Sequence, residues 1–164
     1  MVKKKITILL PVHQRSDIEL NFDETIQSIL KNIDNNFILN ILIDGKLNKK
    51  FEKKIRNYRV NSKFKNIVVT KSSKVGLSKL LNIGIKQAQT EWIARADSDD
   101  IYTKYYFKEG LKLTQFKKNQ PDLFGGQIVE FHTDQSKYLT KTVPLSQNKI
   151  ISLMRFRNPF NHMT

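Results

Sequence analysis

Short apolar runs alternate along the chain with segments whose apolar residues recur at helical spacing. Four runs are strongly apolar and end at proline, aspartate or another polar residue, which predicts buried strands at 5–10, 38–43, 66–70 and 92–96. Helices are predicted at 22–33, 51–60, 77–88, 105–116 and 149–155, with Asn21 as the N-cap of the first. A mixed strand over 123–131 is predicted after Pro121, with a bend at its two adjacent glycines.

This order of strands and helices indicates an α/β fold of the Rossmann-like type. Strands that are almost entirely apolar are buried on both faces, so we predict a mostly parallel sheet flanked by helices. Ligands bind such sheets outside the carboxyl ends of the strands. The rule brings four segments to one edge: Pro11–His13, Asp44–Gly45, Lys71–Gly76 and Asp97–Asp100. No Gly-x-Gly-x-x-Gly motif follows the first strand and no P-loop motif occurs, which argues against a dinucleotide site and excludes a P-loop.

The composition narrows the chemistry further. The chain has 164 residues, 39% of them hydrophobic, which suffices for one domain with a core. It has no cysteine, which excludes disulfides and a cysteine nucleophile, so any metal must be held by oxygen or by histidine nitrogen. The apolar run Ile6–Leu10 is too short for a signal-peptide core, and no run approaches the ~20 residues of a membrane span.

The formal net charge of +14 suits nucleic acid, an anionic membrane face or a phosphorylated small substrate. We interpret the lysines as scattered rather than grouped in a block, so a Lys- and Asn-rich composition spread over solvated surfaces explains the charge equally well. Aromatic residues and arginines are not interleaved as in an RNA-binding sheet, and no specific nucleic-acid partner is expected.

A cluster of aspartates, Asp97, Asp99 and Asp100, directly follows the apolar run WIARA. Carboxylates this close together raise one another's pKa when they lie unpaired in a cleft, and a divalent cation removes the conflict. Mg²⁺ and Mn²⁺ take one or two protein carboxylates and complete their shell with water and substrate phosphate. The cluster therefore predicts a metal site, with the alternative that an aspartate caps the helix that follows.

The segment Gly76–Tyr102, GLSKLLNIGIKQAQTEWIARADSDDIY, resembles the family-2 glycosyltransferases, in which a similar helix precedes a strand that ends in an Arg-x-Asp-x-Asp-Asp run. ITILLPVH and ILIDGKLN are similar to the first two strands of that family. PDLFGGQIVEF and RNPFNHMT are similar to segments that follow the metal motif in bacterial polysaccharide transferases. The resemblance implies a GT-A fold and the nucleotide-sugar-binding part of an enzyme of capsule or lipopolysaccharide assembly.

The resemblance also implies roles for residues on the donor side. Asp44 matches the aspartate that binds the uracil edge of a UDP-sugar, although many relatives have two aspartates here and Asp-Gly is also a common turn. The remaining nucleotide-sugar contacts are predicted to be Pro11, Val12, His13, Lys74, Gly76, Arg95, Asp97 and Ser98. Lys71 is a further phosphate candidate. For the lysines and for His13 a solvated surface position explains the residue equally well, and for Arg95 an ion pair that orients a carboxylate does.

Asp97 and Asp99 are the predicted ligands of Mn²⁺ or Mg²⁺, and Asp100 and His162 are predicted on the acceptor side. The resemblance implies that the metal stabilises the leaving UDP while an acceptor hydroxyl attacks with inversion. The acceptor is expected to be a saccharide or lipid-linked, and the enzyme cytoplasmic, with a charge that suits the inner membrane face. Asn82 and Gly84 are expected to pack the helix 77–88 against the sheet.

The general base that inversion requires is not found. Glu130 and Asp134 are the acids near the C-terminal region, and neither matches the context of the family's base. Since the chain ends within a family-like segment, we expect a single, C-terminally truncated domain over 1–164. Three alternatives stay open: a non-catalytic fragment that keeps the fold, a nucleotidyltransferase-like enzyme, which LLPVHQRSD disfavours because it lacks glycine, and a basic binding module.

Overall fold

The computed structural model describes residues 5–116, 118, 120–131 and 138–161. These residues form two compact units, Met1–Gln120 and Pro121–Thr164. Each unit is described by itself, and the expectation of a single domain stays a prediction.

The first unit alternates four strands with four helices. In chain order these are β1 (Ile6–His13), α1 (Ser16–Leu30), β2 (Phe37–Asp44), α2 (Lys49–Asn61), β3 (Ile67–Ser72), α3 (Leu77–Gln87), β4 (Trp92–Arg95) and α4 (Tyr106–Leu113). The strands are all parallel, in the order β3-β2-β1-β4. The predicted α/β fold with a parallel sheet is confirmed, and each of the four predicted strands forms.

Helix α1 begins earlier than the apolar spacing predicted. Its first residue is Ser16, and Arg15 holds the N-cap position, where no described side chain caps the helix. Asn21, the predicted cap, is an exposed residue inside the helix. The prediction was wrong because Ile18, one turn before Phe22, is also buried and extends the apolar face backwards.

The core lies mainly on one face of the sheet. Alternate residues of β1 and β2 are buried there together with apolar residues of α1, α2 and α4. Phe22 of α1 is at its centre, with its ring centroid 5.1 Å from that of Phe51 in α2. Phe107 of α4 packs against Phe37 of β2, with centroids 6.5 Å apart. The opposite face carries a smaller cluster of Leu9, Leu42 and Leu80, by which α3 packs on the sheet.

A glycine lets α3 approach the sheet closely. A β-carbon at Gly84 would lie 2.8 Å from Leu42 Cδ1 and 3.0 Å from Leu9 Cδ2. Both leucines are completely or almost completely buried, so they have little room to move aside. The predicted packing role of Gly84 is confirmed, whereas that of Asn82 is wrong because Asn82 is exposed.

Replacing Gly84 by valine should destabilise the protein by about 2–3 kcal/mol, because the new side chain overpacks the contact between α3 and the sheet. The matched control is Asn82→Val on the exposed side of the same helix, where we expect a change within about 0.5 kcal/mol. Urea unfolding followed by circular dichroism measures both variants. Equal midpoints for the two variants would contradict the close approach of α3.

The second unit contains a two-stranded antiparallel sheet and a helix. Strands β5 (Ile128–Phe131) and β6 (Tyr138–Lys141) pair with Ile128 opposite Lys141, and α5 (Gln147–Met154) follows. The predicted strand 123–131 therefore forms only in its last residues, since the backbone around the two glycines does not join the ladder. Strand β6 was not predicted, because its four residues, YLTK, do not alternate between apolar and polar types. None of the helices in the described residues is long and apolar enough to cross a bilayer.

Candidate functional site

The carboxyl edge of the sheet collects the segments that the topology rule selected. His13, Asp44 and Ser72, which end β1, β2 and β3, lie in one row of the register. Strand β4 ends opposite Leu9, and its continuation stays beside β1 because Ala96 N donates to Leu9 O at 3.0 Å. Strands β2 and β4 flank β1 on opposite sides, so their axes are about 10 Å apart, two interstrand spacings. The predicted convergence on this edge is confirmed.

Asp44 holds the loop that leads into α3. Its Oδ1 accepts a hydrogen bond from Val75 N at 2.7 Å, and its Oδ2 accepts one from Gly76 N at 3.1 Å. A carboxylate that accepts from two backbone amides fixes their positions firmly. Asp44 therefore positions the start of α3, and its predicted contact with a uracil edge stays a prediction.

Gly76 occupies a backbone conformation that only glycine adopts readily. It is the N-cap of α3 with φ 83° and ψ 160°, and no described side chain caps the helix there. A β-carbon at Gly76 would meet no atom within 4 Å, so the surface in front of it is open. Unsatisfied amides at a helix start attract anions, and exposed Lys74 precedes them. This arrangement is suited to a phosphate group.

Arg95 and Asp97 form a two-pronged ion pair at the end of β4. Arg95 Nε donates to Asp97 Oδ1 at 3.0 Å, and Nη2 donates to Oδ2 at 3.1 Å. The two side chains are only 25% and 16% exposed, so water screens the pair weakly. The prediction that both residues lie on one face is confirmed, and so is the orienting ion pair that was the alternative role of Arg95.

The two other aspartates of the loop differ in their surroundings. Asp99 is 42% exposed, and its nearest cation is Arg15, with Nη2 at 3.8 Å from Oδ2. Asp100 is half-buried, and its Oδ2 is buried with no hydrogen-bond partner among the described residues. Burial, followed by the charges of Asp97 and Asp99, raises the pKa of Asp100 to about 7, against the opposing effect of Arg95. The loop therefore has more negative charge than the nearby arginines balance.

Polar residues of α1 hold this loop in place, and the sequence did not predict them. Thr25 Oγ1 donates to Ser98 O at 3.1 Å, and Ser28 Oγ accepts from Tyr102 N at 3.0 Å. Tyr102 is buried, and its hydroxyl accepts a hydrogen bond from Asp97 N at 2.7 Å. Burial raises the pKa of Tyr102, so its hydroxyl stays protonated. The sequence feature that could have indicated these contacts is the pair of polar residues Thr25 and Ser28, three positions apart on the otherwise apolar face of α1.

Replacing Ser28 by alanine should cost about 1–2 kcal/mol, because Tyr102 N–H would lose its partner in a buried position. Ser28 is 8% exposed, so water cannot readily substitute. The matched control is Ser16→Ala at the exposed start of the same helix, for which we expect a smaller loss. Urea unfolding measures both, and hydrogen exchange at Tyr102 N should accelerate only in Ser28→Ala. Unchanged exchange at Tyr102 would contradict the role assigned to Ser28.

The remaining predicted site residues differ in their exposure to solvent. Val12 is completely buried in the core, so its side chain does not reach the edge where it was predicted to line a nucleotide. Pro11 and Ser98 are also buried, whereas His13 is exposed at the end of β1. His162 and Asp134 lie outside the described residues. Lys71, a candidate for phosphate, pairs with Glu52 at 2.8 Å. Glu130, which did not match the context of the general base, is exposed and pairs with Lys141.

The residues present fit a divalent cation only with help from a ligand. Within the described ranges no three histidines or carboxylates converge as a metal-binding group. Both carboxylate oxygens of Asp97 accept hydrogen bonds from Arg95, whereas the carboxylate of Asp99 is accessible. The unpartnered carboxyl oxygen of Asp100 and the excess negative charge favour a cation beside this loop. Such a donor set matches an ion that takes one or two carboxylates and completes its shell with substrate phosphate and water.

Comparison with known protein families identifies the chain. The model of "Glycosyl transferase family 2" matches residues 7–163, nearly the whole sequence. The chain belongs to this glycosyltransferase family. The predicted resemblance is thereby confirmed, and the nucleotidyltransferase-like alternative finds no support.

Curated relatives show similarity over different shares of the chain. The amylovoran biosynthesis glycosyltransferase AmsE of Erwinia amylovora is 34% identical over 59% of this chain and 36% of its own length. The Escherichia coli protein UDP-Gal:alpha-D-GlcNAc-diphosphoundecaprenol beta-1,3-galactosyltransferase is 30% identical over 96% of this chain and 56% of its own. The chain thus spans between about a third and just over half of these relatives.

Solved structures agree on the fold. S. aureus TarS 1-349, in a crystal structure in complex with UDP-GlcNAc, superposes with a TM-score of 0.56 at 22% identity, over 67% of this chain and 31% of that chain. A second crystal structure of the same protein, in complex with UDP, has the same TM-score and identity. Identity this low establishes a shared GT-A-type architecture alone.

Proposed function

We propose that this chain is the nucleotide-sugar-binding part of a metal-dependent, inverting glycosyltransferase of cell-envelope polysaccharide synthesis. The donor is a UDP-sugar, the cofactor is Mn²⁺ or Mg²⁺, and the acceptor is a saccharide or a lipid-linked saccharide. The observation that carries the proposal is the acidic loop at the carboxyl edge, where Arg95 is the one arginine closely paired with the three aspartates. The open start of α3 lies at the same edge, on the other side of β1.

The names of related proteins support the donor and acceptor classes. The E. coli relative is named for UDP-Gal and for a diphosphoundecaprenol-linked acceptor, and AmsE for amylovoran biosynthesis. TarS has been crystallised with UDP and with UDP-GlcNAc. These ligands share the uridine diphosphate group, which carries the negative charge that a divalent cation and helix-start amides recognise.

We assign the residues of this site as follows. Asp99 and Asp97 hold the cation, with Arg95 fixing the direction of the Asp97 carboxylate. The nucleotide lies along the ends of β1 and β2, beside His13 and Asp44, and its diphosphate lies near Gly76 and Lys74. When bound, the metal supplies electrostatic stabilisation of the departing UDP. Asp100 is assigned to the acceptor side, where the general base is still to be identified, and the predicted acceptor-side role of His162 stays a prediction.

This assignment places the enzyme in the cytoplasm, where nucleotide sugars are available to it. A lipid-linked acceptor would be presented at the inner membrane face. The non-catalytic fragment is the second possibility for the 164-residue chain alone, and donor binding without turnover would identify it.

A thermal-shift panel tests the proposal directly. UDP and UDP-sugars should raise the melting temperature when Mn²⁺ or Mg²⁺ is present and raise it little in chelator, because binding to the folded state alone stabilises it. GDP, dTDP and CDP nucleotides are the matched controls and should give smaller shifts. Equal shifts with all four bases would contradict the uridine assignment, and equal shifts with and without chelator would contradict the metal.

A further inference from the structure

The positive charge of the protein is concentrated in one part of the chain. Residues 46–71 contain ten lysines and arginines and a single acidic residue, Glu52, so they hold nine of the fourteen net positive charges. The interpretation of the lysines as scattered was therefore wrong. This segment comprises α2, the turns on either side of it and β3, so its cations belong to one edge of the sheet.

Helix α2 directs its cations to solvent because its apolar residues face the core. Phe51 and Ile55 are buried, whereas five cations of the helix are exposed: Lys49, Lys50, Lys53, Arg56 and Arg59. Val60, four residues after Arg56, is 63% exposed and adds an apolar contact to the same surface. We call this exposed face of α2 the basic surface.

Few carboxylates neutralise the cations of residues 46–71. Among the described residues only Lys54 and Lys71 have a carboxylate within 4 Å, Asp23 and Glu52 respectively. The eight others have no such partner in the part of the chain that the structure describes. A set of like charges left unpaired raises the local potential and attracts an anionic partner.

A cleft at the edge of the basic surface combines apolar and cationic lining. It has a volume of about 220 Å³ and lies between α2 and β3. Ile43, Ile55 and Val69 supply its apolar lining, and its charged lining is Arg56, Arg59, Lys71 and Glu52. Because Glu52 pairs with Lys71 at 2.8 Å, Arg56 and Arg59 are the cations left for a phosphate. This combination suits a phosphate attached to an apolar group better than a fully solvated phosphate.

The aromatic residues of the segment argue against a nucleic-acid partner. Phe51 is buried, Phe64 packs partly buried against the core, and Tyr58 is held by a hydrogen bond to Asp23 Oδ1 at 3.0 Å. None of the three is exposed for stacking on bases, on which recognition of single-stranded nucleic acid depends. A surface of charge with one exposed aliphatic residue matches the interface of an anionic bilayer instead.

We propose that the basic surface of α2 docks the protein on a bilayer that contains anionic phospholipid, with a lipid phosphate at the cleft between α2 and β3. This proposal names the part of the protein that meets the inner membrane face, so it rests on the cytoplasmic location given in the proposed function. Nucleotide binding is not required for docking, since none of the residues assigned to the nucleotide site belongs to α2.

Vesicle sedimentation tests this surface with the 164-residue chain. The protein should bind phosphatidylglycerol vesicles and not phosphatidylcholine vesicles at about 0.1 M salt. It should be released at about 1 M salt, because the Debye screening length falls from ~10 Å to ~3 Å. The combined variant Lys50→Gln, Lys53→Gln and Arg56→Gln should partition on the order of 100-fold more weakly. The matched control Lys31→Gln, Lys86→Gln and Lys118→Gln removes the same charge from exposed positions elsewhere and should lose far less.

Any other outcome of these measurements would contradict the proposed docking surface. Equal losses in the two variants would mean that net charge alone drives binding, and equal binding to both lipids would exclude charge recognition. Displacement from vesicles by single-stranded polyuridylate at equal phosphate concentration would favour nucleic acid. UDP binding measured by calorimetry without vesicles separates this proposal from the proposed function. Both variants should bind UDP as the unmodified protein does, and a failure confined to vesicles leaves the nucleotide site intact.

Discussion

Replacing Asp99 by asparagine should remove the Mn²⁺-dependent part of UDP binding without unfolding the protein. Asparagine has nearly the same size but lacks the negative charge that makes a carboxylate a good ligand for Mn²⁺ or Mg²⁺. Substitutions around metal ligands cost 10–100-fold in affinity, and loss of a direct ligand should reach at least about 100-fold. Titration calorimetry with UDP, in Mn²⁺ and in chelator, measures the change.

Asp99 gives a cleaner result than Asp97 for a structural reason. Its side chain is 42% exposed and its nearest cation is 3.8 Å away, so the substitution should leave the stability within about 0.5 kcal/mol. Replacing Asp97 would instead leave Arg95 without its two-pronged partner in a weakly solvated position. Asp122→Asn, at an exposed position of the second unit, is the matched control and should bind UDP normally. Undiminished Mn²⁺-dependent binding in Asp99→Asn would refute the assignment of the metal.

The sequence predicts the sheet well because each strand is short, apolar and terminated by a polar residue. Parallel strands align their carboxyl ends, so the order of segments along the chain was enough to place His13 and Asp44 in one row. The side-chain directions at that edge were harder to predict. Val12 is a neighbour of His13 in sequence, yet it points into the core, because successive residues of a strand alternate between faces.

The supports of the acidic loop were missed because they come from another element. Thr25 and Ser28 lie more than 70 residues before their partners, Ser98 and Tyr102, and a periodicity analysis treats them as interruptions of an apolar helix face. The predicted ligand contact of Asp44 stays a prediction, but its two hydrogen bonds from backbone amides 31 and 32 residues later were not predicted. Residue type and spacing thus locate the site, but the hydrogen bonds that shape it depend on tertiary packing.

The Asp100→Asn variant should be more stable than the unmodified protein at about pH 8 in metal-free buffer and equally stable at about pH 4. Asp100 is half-buried beside two other aspartates, and one of its oxygens has no hydrogen-bond partner among the described residues. An asparagine avoids the cost of ionising this group. We expect a gain of about 1–2 kcal/mol, less than for a fully buried carboxyl because solvent screens the exposed part.

The sign follows from the direction of the pKa shift. Burial and the neighbouring carboxylates raise the pKa of Asp100 from 3.8 to about 7 in the folded protein, so the folded state binds the proton more tightly than the unfolded chain does. The unmodified protein therefore loses stability as the pH rises from about 4 to about 7, and the loss is complete above that range. Asparagine does not titrate, so the difference between the two proteins should grow over the same interval and then level off.

Asp99→Asn distinguishes the two causes of the raised pKa. Burial is the larger cause and stays when Asp99 is replaced, whereas one repulsive charge is removed. The variant should therefore show a smaller gain than Asp100→Asn over the same pH interval, and both gains should shrink when Mn²⁺ is added, because a cation beside the loop offsets the same charges. Urea midpoints across the pH range measure both effects. A gain in Asp100→Asn that does not change with pH would mean that the lost carboxyl acted through packing rather than through its ionisation.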